Sequence, residues 1–184
     1  MLINGATGVS GRLAVQVARL LGAERIVGSG RSAESLASLR ALGATATIDL
    51  KAHDDEVAAA YADAAGDGYD VILDFLWGHP TELLLGTIVP KEAGFARRRV
   101  RLVQIGQAAG PTIALDAEAV RTSGLELSGA GNIAPEVVPE AVRQVWDWIA
   151  DGSLGIDVDR VPLEDVAGAW ERTTEGRRIV IVPR

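Results

Sequence analysis

The 184-residue chain contains no cysteine. Disulfides, thiolate metal ligands and thiol nucleophiles are therefore excluded. Histidine is nearly as scarce. The chain has two, His53 and His79, with no His-x-x-x-His spacing, so both read as loop histidines and no metal site is expected. No apolar run approaches the length of a membrane span, and no basic-then-apolar segment opens the chain. Positive charge is also short. Eighteen Lys and Arg face 25 Asp and Glu, a net charge of −7, which argues against a nucleic-acid or anionic-membrane partner. A cytoplasmic protein is the expectation.

What is present suits an ordinary globular domain: 48% apolar and 23% charged residues, enough for one domain with a sizeable core. Its organising stretch is Met1-Leu2-Ile3-Asn4-Gly5-Ala6-Thr7-Gly8-Val9-Ser10-Gly11. A short apolar run breaks into a glycine-rich turn, and a helical pattern follows at once, with Leu13, Val17, Leu20 and Leu21 on one face. Strand, glycine turn and helix together are the context in which such a fingerprint means dinucleotide binding. The register is Ala6-x-Gly8-x-x-Gly11, with Ala6 where the first glycine of the common pattern would stand. Gly8 is expected to let the backbone approach a pyrophosphate, and Gly11 to let the helix pack close on the strand. The helix N-terminus then offers free N–H groups and partial positive charge.

The rest of the chain continues the alternation. Strands are predicted at 25–29, 46–49, 69–74, 99–105 and 126–128. Helices are predicted from the Ser32 cap to the Gly43 stop, and over 54–64, 81–88, 116–123 and 135–150. Residues 161–166 should start a last helix, and 179–182 form a last strand. The expected fold class is α/β: a Rossmann-type, doubly wound, mostly parallel six-stranded sheet with helices on both faces, as one domain over 1–184. Ligands in such sheets sit beyond the carboxyl ends of the strands. The turns at 5–11, 29–32, 74–78 and 106–110 should therefore share one rim.

The choice of nucleotide turns on the end of the second strand. NAD-binding sheets usually carry an acid there, which bonds the ribose hydroxyls and repels a 2′-phosphate. Here the end reads Ser29-Gly30-Arg31-Ser32. A guanidinium can fork onto a phosphate, and the two serines can donate to it. NADP(H) is expected in preference to NAD(H).

These motifs resemble the cofactor-binding half of the medium-chain dehydrogenase/reductase superfamily, nearest to its zinc-free quinone oxidoreductases. The opening strand and turn, Leu42-Gly43-Ala44 followed by Ile48-Asp49, and Tyr69-Asp70-Val71-Ile72-Leu73-Asp74 are similar to that family. So is the tail Val161-Pro162-Leu163-Glu164-Asp165-Val166-Ala167-Gly168-Ala169-Trp170, which is the more specific signal. The resemblance implies that Ala6, Thr7, Gly8, Val9 and Ser10 hold the pyrophosphate. It implies that Ser29, Gly30, Arg31 and Ser32 surround the adenosine ribose and its phosphate. It also implies that Phe75 and Leu76 line the loop after the fourth strand, and that Gly106 and Gln107 approach the nicotinamide. Some members carry a lysine where this chain has Ser35, which leaves Arg31 to supply the charge. Members also carry an N-terminal GroES-like catalytic domain, and the abrupt start at a strand suggests an excised piece without it. The implied activity is hydride transfer to a quinone, enone or carbonyl substrate. No catalytic residue is identified.

Other features have plainer readings. Asp74 ends a buried strand on the rim and could cap the next loop or touch the cofactor. Asp54-Asp55-Glu56 suits a helix start, and Arg97-Arg98-Arg99 a solvated approach to a strand. Trp146 and Trp148 cannot share a helix face, so one can be core while the other, like Trp170, needs a second surface. A homodimer through the edge strand near 125–133 is expected. Two alternatives remain. An atypical short-chain dehydrogenase shares the opening motif, but Tyr61 and Tyr69 lack a lysine four residues on. A non-catalytic NADP(H) sensor would share the motif without turnover.

Overall fold

The computed structural model describes residues 1–89, 95–96, 98–172, 174 and 176–183. Its frame is a six-stranded, all-parallel sheet in the order β3-β2-β1-β4-β5-β6. Strand β1 (Leu2–Asn4) lies between β2 (Val27–Gly30) and β4 (Val71–Asp74), with β3 (Ala46–Asp49) beyond β2. Strands β5 (Val100–Gln104) and β6 (Leu125–Gly129) extend the other side. The order reverses between β1 and β4, which opens a crevice at their carboxyl ends.

Side chains alternate across a strand, and β1 shows the consequence. Leu2 joins a core cluster with Tyr61, Ile72, Leu84 and Leu102. Ile3 joins one on the opposite face with Val15, Ile26 and Leu39. The first cluster is covered by α3 (Asp54–Ala65) and α4 (Gly78–Ile88), the second by α1 (Val9–Leu20) and α2 (Ala33–Leu42). Ser32 caps α2, its hydroxyl accepting from Ser35 N at 3.3 Å. Gly43 ends α2 with φ +120°, where a side chain would be strained. Asp54, Asp55 and Glu56 occupy the first turn of α3, where the helix dipole favours acids.

Several boundaries differ from expectation. Helix α4 starts three residues early, at Gly78, because Pro80 fits a first turn where no N–H is needed. The predicted helix 135–150 opens with a 3-10 turn at Pro135–Val137 before α6 (Val138–Ala150). The tail holds a strand the pattern did not announce. Strand β7 (Val158–Pro162) pairs in parallel with β8 (Arg178–Val182) as a separate two-stranded sheet, with α7 (Val166–Trp170) between them. Parallel pairing across that span is a long-range choice that local periodicity does not report.

Neither α6 tryptophan enters the core. Trp148 is half-buried, Trp146 is 65% exposed and Trp170 87% exposed. Helix α6 buries no residue and shows Val138, Val142 and Ile149 to solvent as well. Of the arginine run, Arg98 pairs with Asp70 at 2.8 Å and Arg99 with Glu126 at 2.9 Å. Arg97 lies outside the described residues. No described helix is long and apolar enough to cross a membrane.

His79 is not a loop residue. It sits in the first turn of α4, where Nε2 meets Asp54 Oδ2 at 2.9 Å and links α4 to α3. That hydrogen bond raises its pKa above the ordinary 6.5, and Glu82 adds to the rise. The folded value exceeds the unfolded one, so the pair stabilises the fold fully below pH 6.5 and loses that effect as pH rises through the folded pKa. An NMR titration should place the His79 midpoint above 6.5, returning toward 6.5 in Asp54→Asn. An unmoved midpoint would refute the pairing.

Candidate functional site

The turn from β1 into α1 is shaped by three glycines with three different jobs. Gly5 has φ +88°, which a residue without Cβ adopts freely. Its N–H donates to Ser29 Oγ at 3.0 Å, and Ala6 N to Ser29 O at 2.8 Å, so the end of β2 holds the turn. A Cβ on Gly11 would overlap Gly5 O and lie 2.6 Å from Ala6 Cα; the close packing of helix on strand demands glycine there. At Gly8 the backbone itself does not demand glycine. Its φ of −74° suits any residue, and a Cβ there would meet nothing within 4 Å. What glycine preserves at position 8 is open space. Gly8 caps α1 without a side-chain hydrogen bond, and the first turn has no acid. The leading N–H groups of α1 therefore point unpartnered into that space.

The space is a cavity of about 670 Å³ along the carboxyl rim. Thr7, Gly8, Val9 and Ser10 form its floor, and Gly30 and Arg31 one end. Phe75 and Leu76 stand opposite, beside Ala108 and Ala109. Eight of the thirteen residues singled out from sequence thus come together. Arg31 is exposed and has no ion-pair or hydrogen-bond partner among the described residues.

The other five do not line it. Ala6 is fully buried in the core beneath the turn. Ser29 is fully buried, and its hydroxyl donates to Asn4 Oδ1 at 2.6 Å while accepting from Gly5 N. It supports the turn and has no hydroxyl proton to spare for a phosphate. Ser32 lies outside the lining; its oxygen accepts from Ser35 N to cap α2, and its hydroxyl proton has no acceptor among the described residues. Gly106 backs onto Phe75 O, 2.5 Å from where a Cβ would stand. Gln107 faces a second, neighbouring cavity.

Beneath the floor lies a closed polar network. Asn4 Oδ1 accepts from Ser29 and from the Tyr61 hydroxyl at 2.7 Å. Asn4 Nδ2 donates to Asp74 Oδ1 at 3.0 Å and to Thr81 Oγ1 at 3.3 Å. Thr81 in turn donates to Asp74 Oδ2 at 2.7 Å. Asp74 Oδ1 also accepts from Leu76 N at 3.0 Å and Trp77 N at 3.2 Å. Of its two open readings, Asp74 therefore caps the loop. Burial pushes the Tyr61 phenol well above its usual pKa, which suits a structural hydroxyl and not an acid–base catalyst. Tyr69 donates to Tyr61 O at 2.7 Å, so both tyrosine hydroxyls are held in the core and neither lines the cavity a short-chain dehydrogenase would use.

Residues 10–151 match the zinc-binding dehydrogenase domain family. The chain belongs to that family. It is 29% identical, over its whole length, to a probable NADPH-dependent quinone reductase of Emericella nidulans, of which it covers 54%. A quinone oxidoreductase of Pseudomonas syringae shares 27% identity and superimposes with a TM-score of 0.73, covering 99% of this chain and 56% of that one. The Escherichia coli quinone oxidoreductase complexed with NADPH gives a TM-score of 0.77 at 24% identity, covering 99% and 56%, a likeness of fold. The chain spans about half the length of the curated relative it matches.

The family match stops at residue 151, yet the zinc-binding dehydrogenase domain of this chain draws on its tail as well. Segment 153–157 docks on α1. Gln16 and Gly155 exchange two hydrogen bonds, of 2.9 and 3.0 Å. Arg12 pairs with Asp157 at 3.1 Å, and Asp157 O accepts from Arg178 N at 2.8 Å. Gly176 packs against the turn itself, with Thr7 O 2.9 Å from where a Cβ would lie. This docking brings Arg178, the first residue of β8, to the cavity wall. Sequence reasoning missed it, since an arginine opening a strand 170 residues from the glycine turn carries no local signal. Among the described residues, no three His, Asp or Glu side chains converge as a metal would require.

Proposed function

We propose that this chain is the NADP(H)-binding part of a zinc-independent quinone oxidoreductase-like enzyme acting on a quinone, enone or related carbonyl compound. One observation carries the reading. Among the described residues, the rim cavity combines an uncapped helix N-terminus with two cations free of acidic partners, Arg31 and Arg178, and no acid lines it. That charge and geometry support a site for a pyrophosphate and a further phosphate.

In this reading the N–H groups of Val9, Ser10 and Gly11 receive the pyrophosphate, with Arg178 closing over it. Arg31 takes the 2′-phosphate, in preference to NAD(H). Thr7 and Gly30 shape the ribose end, and Phe75 and Leu76 exclude water from the opposite wall. Bound there, NADPH would supply the hydride for reducing the acceptor, whose proton would come from solvent. The family relation and the NADPH-dependent relatives support the reading, and the absence of cysteine from the chain removes thiolate as a zinc ligand. We also propose a cytoplasmic location, in keeping with a reaction that draws on NADPH. Calorimetric titration tests the cofactor reading directly. NADPH should bind at least about tenfold tighter than NADH, the scale of one charge-assisted phosphate contact. Equal affinities would overturn the preference, and no binding of either the reading itself.

We also propose a homodimer through β6. Among the described residues β6 is an edge of the sheet with no strand on its outer side, and Leu127 in it is 46% exposed. Such an edge invites a second copy. Light scattering should give twice the chain mass, and a monomer at high concentration would refute it.

A further inference from the structure

The tail of the chain joins the six-stranded sheet without sharing its core. Among the described residues, neither core cluster reaches past Leu125, and β7 and β8 pair only with each other. What holds the tail is a short set of polar contacts along α1. Gln16, only 8% exposed, aims its amide at Gly155. Its Nε2 donates to Gly155 O at 2.9 Å, and its Oε1 accepts from Gly155 N at 3.0 Å. One turn back, Arg12 donates to Ser38 Oγ at 2.6 Å and to Asp157 Oδ2 at 3.1 Å, tying the tail to α1 and α2 together. One turn on, Arg19 Nη2 donates to Ser153 O at 3.4 Å.

The junction around these bonds is not filled. A cavity of about 220 Å³ lies between α1 and the tail, with Leu13, Leu42 and Ile156 in its walls. A void forfeits part of the dispersion that a filled junction would give. An element held by a few polar bonds is the kind that opens locally while the rest of a fold stays closed. Glutamine is the residue this junction specifies. One amide serves both Gly155 groups, whereas a carboxylate has no donor for Gly155 O.

The docked segment leads to the dinucleotide cavity. Asp157 O accepts from Arg178 N at 2.8 Å, so the segment that Gln16 holds sets where Arg178 stands on the cavity wall. The first turn of α1 faces the cavity, and the turns that follow hold the tail.

We propose that Gln16 is a positioning residue for Arg178, latching residues 153–157 to α1 so that tail docking and dinucleotide binding strengthen each other. The inference rests on the dinucleotide reading above, with Arg178 at the pyrophosphate. A ligand that touches Arg178 binds the docked tail better than a released one, and by linkage it favours docking to the same degree. A ligand without a pyrophosphate has no such preference.

The test titrates the chain with NADPH and with adenosine 2′-monophosphate, which has the 2′-phosphate and no pyrophosphate. The variants are Gln16→Ala, Arg178→Ala and the two combined. Gln16→Ala should weaken NADPH about fivefold or more, the low end of a linkage effect. It should leave adenosine 2′-monophosphate within about twofold, the scatter of independent sites. In the Arg178→Ala background the same substitution should change NADPH affinity by less than about twofold. Hydrogen exchange of residues 153–157 should slow with NADPH and not with adenosine 2′-monophosphate. A Gln16→Ala loss shared by both ligands, or repeated in full without Arg178, would mean a general loosening of the fold and overturn the proposal. Exchange that NADPH does not slow would overturn it too. Should Gln16→Ala fail to fold, the exposed Asp157→Ala carries the same comparison, because it removes the Arg12 bond at the surface. If the unaltered chain binds neither ligand, the dinucleotide reading fails and the coupling with it. NADPH bound equally well by the parent and by Gln16→Ala sinks the latch alone.

Discussion

Replacing Asp74 with alanine should destabilise the fold by at least about 3 kcal/mol, because two buried and two part-buried donors lose one acceptor group. The carboxylate receives Asn4 Nδ2, Thr81 Oγ1, Leu76 N and Trp77 N, and it is itself fully buried. Each orphaned donor costs roughly 1–3 kcal/mol, and these four are coupled, so the costs will not simply add. Asp74→Asn keeps the shape and one acceptor oxygen, and Thr81 can turn its hydroxyl to accept from the new amide. It should cost about 1–2 kcal/mol. Urea denaturation with an unchanged m-value would measure both. An alanine variant within about 1 kcal/mol of the parent would show that the network is not what joins β1, β4 and α4. A surviving Asp74→Ala should also bind dinucleotide less tightly, since Leu76 loses its anchor on the cavity wall.

The second large effect is on ligand discrimination. Arg31→Ala should weaken NADPH binding about ten- to hundredfold, the range of a charge-assisted hydrogen-bonded pair, and leave NADH within about twofold. Arg31 is suited to this because it is exposed on the cavity rim with no protein anion to hold it. Arg31→Lys should recover part of the affinity, since it keeps the charge and loses the planar fork. Raising salt should erode the NADPH preference, because a rim charge is screened within about 8–10 Å at ordinary ionic strength. Arg178→Ala is the control. If Arg178 meets the pyrophosphate, its loss weakens NADPH and NADH alike, whereas a 2′-phosphate role would single out NADPH. An Arg31→Ala variant with undiminished NADPH affinity would remove the 2′-phosphate assignment.

The two predictions separate two layers of one site. In the proposed reading Arg31 and the α1 N-terminus meet the ligand. Asn4, Ser29, Asp74 and Thr81 lie below and fix the backbone that meets it. Ser29 shows the distinction. By position it is a phosphate donor, and by geometry it is the strut under Gly5. The buried network was not legible in the sequence, because hydrogen-bond partners such as Asn4 and Thr81 are 77 residues apart. What could be read was that Asp74 ends an apolar strand on the rim; the choice between capping the loop and touching the cofactor needed its hydrogen bonds.

Local order in the chain determined a great deal. The alternation of strand and helix, the glycine turn, the caps at Ser32 and Gly43 and the missing acid after β2 are all short-range features. Each element's period and punctuation are written within a few residues of it, and the parallel order follows from them. Only the tertiary structure decided which side chains face the cavity. The inward turn of Ser29 and the arrival of Arg178 depend on contacts between segments far apart in sequence. The β7–β8 pair and the exposed α6 are of the same kind. Such contacts are chosen by the packing of the whole chain, and no local pattern records them.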